Sequence, residues 1–151
     1  MPKNVNIIKA EKCDLTDILE IEHISFQEEG FNKRQFAYLL SKSMFYVAKS
    51  ERKVWGYIIL LQSVRIPKLR LYSIAVHPEA RKNHIGQLLL DHAFTRVPKC
   101  KKNGIYLEVR QSNTVALRFY EKNGFRRTGI KKAYYPDGEN AWVMQWKIDK
   151  K

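Results

Sequence analysis

Between residues 71 and 110 the spacing of apolar residues changes period twice, and no other feature constrains the fold of this chain as strongly. The run LYSIAV (71–76) reads as a strand and stops at Pro78; Ile85, Leu88, Leu89 and Ala93 then recur at helical spacing; GIYLEVR (104–110) alternates Ile105, Leu107 and Val109 with Tyr106, Glu108 and Arg110. Strand, helix and strand in that order form a crossover, and a crossover joins parallel strands. Its first connection, HPEARKNH, sets a basic turn at a helix N-terminus. Backbone N–H groups there have no intrahelical partners and the helix dipole is positive, so an anion is favoured before Arg81 and Lys82 add their charges. A chain passing close to a phosphate favours glycine, yet this turn carries Asn83 and His84 and keeps only Gly86.

Around the crossover the other elements are signposted. VNIIKA (5–10) reads as a strand, and Asp14 is placed to cap a helix that turns Leu15, Ile18, Leu19, Ile21 and Ile24 inward. A short second helix starts at Asn32 and buries Phe36, Leu39 and Leu40. FYVAKS, ERK and VWGYIILLQSV make a hairpin. Ser112 or Asn113 caps a helix over about 114–122, with Gly124 just past its end. FRRTGI and AWVMQWKI close the chain across a loop with the turn signal PDG, the second strand holding Trp142, Met144, Trp146 and Ile148 on one face. The order predicts an α/β (α+β) fold with a mixed sheet, parallel in the middle and antiparallel at either side.

At 151 residues and 44% apolar content, one folded domain over 1–151 is expected. No apolar run reaches the roughly eighteen residues of a membrane span, and the N-terminus has no signal-peptide core, so the expected location is cytoplasmic with no membrane contact. Cys13 and Cys100 match no zinc or redox spacing and read as reduced thiols. The 4 histidines fall on no metal-binding spacing, no GxSxG elbow occurs, and no metal is expected. Charge is the strongest compositional signal: 28 Lys and Arg against 15 Asp and Glu leave +13. Such a surface suits nucleic acid or the ribosome, a phosphorylated cofactor, or solubility alone. Tyr134 and Tyr135, flanked by basic residues, are able to stack on bases, but no RNP-type signature accompanies them.

Three features are candidates for chemistry: the turn, Glu108 within a β-forming strand, and Tyr120 in RFYEKNGF. Taken singly, Glu108 reads as an outward residue paired with Arg110 or a nearby lysine, and Tyr120 as a core aromatic with its hydroxyl at the rim. Together, VHPEARKNHIGQLLL, LEVRQSNTVALRFYEKNGF and YYPDGENAWVM resemble the GNAT superfamily of acetyl-CoA-dependent N-acetyltransferases, nearest its ribosomal-protein-alanine branch, with the close match running from about Ile74 to Met144. The resemblance implies a mostly antiparallel sheet of about seven strands with one splayed parallel pair and about four helices. It implies that Ile74, Ala75 and Val76 pair with the pantetheine arm of acetyl-CoA, and that Arg81, Lys82, Asn83, His84, Ile85, Gly86 and Gln87 hold its pyrophosphate. It further implies Asn113 near the cofactor, Glu108 as general base, Tyr120 as general acid, and Tyr134 and Tyr135 on the acceptor side. SFQEEGFN (25–32) departs from the aromatic and proline segment of that branch, in a loop that helps form the acceptor groove.

The chemistry gives a reason for these residue types. A neutral amine must attack the thioester, and a thiolate must leave. An α-amine with pKa near ~8 is partly neutral at physiological pH, whereas a lysine near ~10.4 is about one part in a thousand neutral, so a carboxylate base is better matched to a chain terminus. Desolvation lowers an amine pKa, which keeps lysine and small amines such as polyamines or antibiotics as alternative acceptors. A non-catalytic basic module binding RNA or the ribosome is the alternative from another class.

Overall fold

The computed structural model describes residues 4–26 and 32–149. Its elements follow the expected order: β1 (Asn6–Lys9), α1 (Leu15–Phe26), α2 (Lys33–Lys42), β2 (Met44–Ser50), β3 (Lys53–Leu61), β4 (Lys68–Val76), α3 (Ile85–Lys99), β5 (Gly104–Arg110), α4 (Thr114–Lys122), β6 (Arg126–Lys131) and β7 (Ala141–Lys147). Hydrogen-bonded neighbours in the 7-stranded sheet run β1-β2-β3-β4-β5-β7-β6. The β4–β5 pair is parallel, and β1–β2, β2–β3, β5–β7 and β6–β7 are antiparallel. The sheet is therefore mixed as the crossover requires. The chain divides into two compact units, Met1–Gln62 with Leu71–Arg96 and Ser63–Arg70 with Val97–Lys151.

In the first unit, Asn32 caps α2 with a reciprocal pair: its Oδ1 accepts the Gln35 N–H at 2.9 Å and its own N–H donates to Gln35 Oε1 at 2.8 Å. Both amides would otherwise be orphaned at the helix start. Asp14 is not the cap of α1 expected from the sequence. A 3-10 turn over Lys12–Asp14 precedes that helix, and Asp14 reaches back to the Glu11 N–H at 2.9 Å while its other oxygen pairs with Lys49 Nζ at 2.7 Å. The carboxylate is buried, and a buried anion stays where a cation and an amide satisfy it. Ile24, expected inward, is exposed, and Glu22 is buried instead. Helical geometry gives the reason: Glu22 stands seven residues after Leu15, about two full turns, whereas Ile24 stands nine after it, about half a turn round to the far side. Glu22 accepts a hydrogen bond from the Tyr57 hydroxyl, which also lies 3.3 Å from Ser73 Oγ. Burial, then Glu22, push the Tyr57 phenol far above its ordinary pKa, so it stays a donor.

The rings of Phe36, Phe45 and Tyr57 meet at centroid distances of 5.8–5.9 Å in the core of this unit. Gly56 lets β4 and α3 come close to β3. A Cβ there would stand 3.0 Å from the Ala75 carbonyl oxygen and 3.1 Å from side-chain atoms of Ile85 and Leu89.

In the second unit the alternation along β5 is realised: Ile105, Leu107 and Val109 are buried, while Tyr106, Glu108 and Arg110 are partly exposed. Asn113 caps α4, its Oδ1 accepting the Ala116 N–H at 3.1 Å, and Gly124 follows the helix at φ 91°. Parallel pairing joins Lys68, Leu69 and Arg70 to Gly104, Ile105 and Tyr106.

Candidate active site

The residues singled out from the sequence fall into two groups, one in each unit. In the first unit β4 ends at Val76, and the His77 N–H donates to the Trp55 carbonyl at 2.7 Å. His77 opens a 3-10 turn over Pro78–Asn83, its Nδ1 accepting the Glu79 N–H at 3.1 Å. The turn with Arg81, Lys82 and Asn83 is thus helical rather than open, and it is broken by His84 at φ 57° and ψ 25°. The left-handed residue is therefore His84, the position at which the sequence lacks a glycine. Its side chain is exposed, and its carbonyl accepts the Leu88 N–H at 3.0 Å, which starts the ladder of α3. Ile85, Gly86 and Gln87 consequently supply the first-turn amides of a 15-residue helix, an anion-favouring position by geometry and dipole. Ile85 is buried, and Gln87 donates to Asp91 Oδ1 at 2.8 Å.

The first unit also has a cavity of about 410 Å³ lined by Arg34, Gln35, Tyr38 and Leu39 of α2 and by Tyr72 of β4. Tyr72 stands two residues before Ile74 and on the same face of the strand. The sequence reading did not single it out, because an aromatic in an apolar strand has the same signature whether it fills a core or lines a cavity. Gln27 to Phe31 of the SFQEEGFN segment lie outside the described residues.

In the second unit Glu108 is the centre of a charged cluster, with its side chain only 5% exposed. Arg70 donates to Oε1 through Nε at 3.1 Å and through a terminal guanidinium nitrogen at 2.6 Å, and Lys131 Nζ stands 3.3 Å from Oε2. Of the two partners expected from the sequence, Arg110 or a nearby lysine, the lysine is found, as Lys131. Arg110 instead clasps Asp137 and Glu139 in the loop before β7, at 2.9 Å each, and stacks on Tyr135 at 4.1 Å. The parallel register explains Arg70: it lies opposite Tyr106, and Glu108 is two residues further along, about 6–7 Å away and within an arginine's reach. Burial works against the Arg70 charge, but Glu108 outweighs it and holds the guanidinium pKa above its ordinary value.

Tyr134 accepts a hydrogen bond from Arg70 at 3.1 Å and meets Tyr135 edge-on at 5.1 Å between centroids. Burial and then Tyr134 raise the Tyr135 pKa to about 12, with Glu108 among the smaller contributors. Tyr120 is buried at 6% exposure, beside Phe125 at 5.4 Å, rather than at the rim. Burial, then Tyr135, push its phenol well above the ordinary range. The charge of Glu108 thus acts on the Tyr135 phenol, and Tyr135 in turn on that of Tyr120. Asn113 spends its carbonyl oxygen on the α4 cap. Among the described residues no group of three or more His, Cys, Asp or Glu side chains is arranged to hold a metal ion, and no helix is long and apolar enough to cross a membrane.

Two archaeal relatives span nearly the whole chain. An uncharacterized N-acetyltransferase of Methanocaldococcus jannaschii is 34% identical over 91% of this chain and 88% of its own length. An N-alpha-acetyltransferase of Sulfurisphaera tokodaii is 30% identical over 94% and 92%. Among solved structures, the ribosomal-protein-S18-alanine N-acetyltransferase from Escherichia coli superimposes with a TM-score of 0.85 at 27% identity, covering 97% of this chain and 96% of that one. Residues 41–127 match the family model of the acetyltransferase (GNAT) domain, so the element order, the mixed sheet and the sequence match converge: the chain belongs to the GNAT acetyltransferase family.

Proposed function

We propose that this chain, working as one domain over residues 1–151, moves the acetyl group of acetyl-CoA to a primary amine, and that this amine is the N-terminal α-amine of a protein such as a ribosomal protein. The observation that carries the reading is the carboxylate of Glu108, shielded from solvent and fixed through one oxygen by Arg70, which also donates to the Tyr134 hydroxyl. The N-alpha- and S18-alanine N-acetyltransferases among the similar proteins support a chain terminus as acceptor.

In the first unit, the amides of Ile85, Gly86 and Gln87, with Arg81 and Lys82, are suited to the pyrophosphate, and the backbone of Ile74, Ala75 and Val76 to the pantetheine arm. An arm running from the turn along Val76 toward Ile74 ends near Tyr72, so the cavity beside Tyr72 is assigned to the leading residues of the acceptor. In the second unit, Glu108 accepts the proton that the amine loses as its nitrogen bonds to the acetyl carbon, directly or through a water. The C–S bond then breaks, and the leaving sulfur takes the proton of Tyr120. Because burial keeps that phenol protonated across the working pH range, the donor is in place at every turnover.

The test is incubation with acetyl-CoA and a library of short peptides, with products located by mass spectrometry. Acetylation at peptide α-amines is expected. Transfer confined to lysine side chains, polyamines or antibiotics would overturn the acceptor assignment, and RNA binding without any transfer would overturn the enzymatic reading.

A further inference from the structure

The carboxylate of Glu108 is shared unequally. Arg70 holds Oε1 with two nitrogens and is itself only 29% exposed, whereas Lys131 reaches Oε2 with one nitrogen at 3.3 Å and is 49% exposed. Lys131 is also the last residue of β6, and its Nζ lies 5.2 Å from the centre of the Tyr134 ring. Its ammonium therefore rests on a carboxylate oxygen and near the π system of an aromatic ring. Those two surfaces are what any primary ammonium seeks: a charge-assisted hydrogen bond and a cation–π contact. The shielded Glu108 and the half-buried Arg70 make a fixed frame, while the exposed lysine at a strand end makes a contact of the kind that is readily exchanged.

We propose that Oε2 of Glu108 and the ring of Tyr134 form the seat of the acceptor's amino group, and that Lys131 occupies this seat in the acceptor-free enzyme as an internal competitor. The inference deepens the function proposed above and rests on Glu108 serving the reacting amine. An incoming α-ammonium replaces the lysine charge for charge, so the shielded carboxylate is never left without a cation on Oε2. Arg70 stays on Oε1 throughout and keeps the carboxylate plane oriented. The acceptor ammonium releases one proton to solvent to become the neutral amine, and with Lys131 displaced Oε2 of Glu108 is free to take the second proton as the nitrogen bonds to the acetyl carbon. Lys131 thereby selects for acceptors whose remaining contacts outweigh a tethered ammonium, and isolated small amines compete poorly.

The experiment compares wild type with Lys131→Met and Lys131→Arg, using a peptide acceptor and n-butyltrimethylammonium, a cation that cannot be acetylated. In Lys131→Met the acceptor KM is expected to fall about two- to fivefold, the range of an exposed ion pair, while the KM for acetyl-CoA stays put; Lys131→Arg should restore the wild-type acceptor KM. The quaternary cation should inhibit competitively against the peptide, and its affinity, also followed without turnover by tyrosine fluorescence, should rise in Lys131→Met by the same factor. An acceptor KM that is unchanged or higher in Lys131→Met, or cation binding that ignores the substitution, overturns the proposal. Absence of transfer by the wild type would overturn the functional reading, and the fluorescence titration would still decide whether Lys131 covers an ammonium seat.

Discussion

His84→Gly isolates the one strained residue of the basic turn. At φ 57° and ψ 25° His84 is in the left-handed region, where a Cβ costs an L-residue about 1–2 kcal/mol. Histidine tolerates the region better than most, which places its cost near the lower end. Glycine removes that cost but adds about 0.5–1 kcal/mol of chain entropy on folding. The net effect is therefore a gain of about 0–0.5 kcal/mol, a rise in Tm of at most about 2 °C for a chain of this size. His84→Val is the matched opposite, because a β-branched residue is a genuine outlier at positive φ; it should lose about 1–2 kcal/mol and lower Tm by about 2–8 °C. Scanning calorimetry reads the stability, and titration calorimetry with acetyl-CoA reads the site. Glycine should leave the Kd for acetyl-CoA equal or tighter, since the first-turn amides of α3 keep their course. Equal destabilisation by Gly and Val would refute the backbone argument. An affinity loss beyond about tenfold in His84→Gly alone would show that the imidazole itself touches the ligand.

Further perturbations separate the parts. Glu108→Gln should reduce kcat about 10²- to 10⁴-fold with the Kd for acetyl-CoA nearly unchanged, and Tyr120→Phe should also act on kcat; a matching collapse of acetyl-CoA binding would reassign either residue to packing. Gly56→Ala forces a Cβ to 3.0 Å from the Ala75 carbonyl and 3.1 Å from Ile85 and Leu89, so urea unfolding should show a loss of about 1–3 kcal/mol, and an unchanged midpoint would mean that β4 and α3 yield freely. Asp137 is held below its ordinary pKa by the Glu139 N–H and by Arg110, and Glu139 by Ser112 and Arg110. Depressed carboxylates stabilise above their unfolded values near ~4 and lose that contribution as pH falls through the folded values. Amide exchange at Ser112 and Glu139 should accordingly stay slow down to about pH 4, and fast exchange already at pH 6 would contradict the clasp.

The order of elements was legible in the sequence because each rests on local physics. The strand and helix periods around Pro78, the Asn32 and Asn113 caps, Gly124 at positive φ and the β5 alternation all survive in the structure. The crossover between β4 and β5 required a parallel pair, and one is found. A tertiary partner intervened where Asp14 turned back to Glu11, because Lys49 stabilises its burial; Ile24 faces outward by helical geometry alone, and Glu22 is tolerated on the inner face because Tyr57 supplies a donor. The family motifs carried the candidate residues, but not their company. That Glu108 is bound by Arg70, 38 residues earlier in the chain, and by Lys131 follows from strand register, and that Tyr135 meets Tyr134 and Arg110 follows from the path of the loop before β7. Sequence periodicity reports which face of an element is buried, because burial is a property of each residue's own position. Pairing across strands depends on register, and register is settled only when hydrophobic faces and turns are packed together. The sequence by itself therefore determined the elements, the parallel crossover and the start of α3 after the basic turn, while the tertiary structure decided which cations share the Glu108 carboxylate.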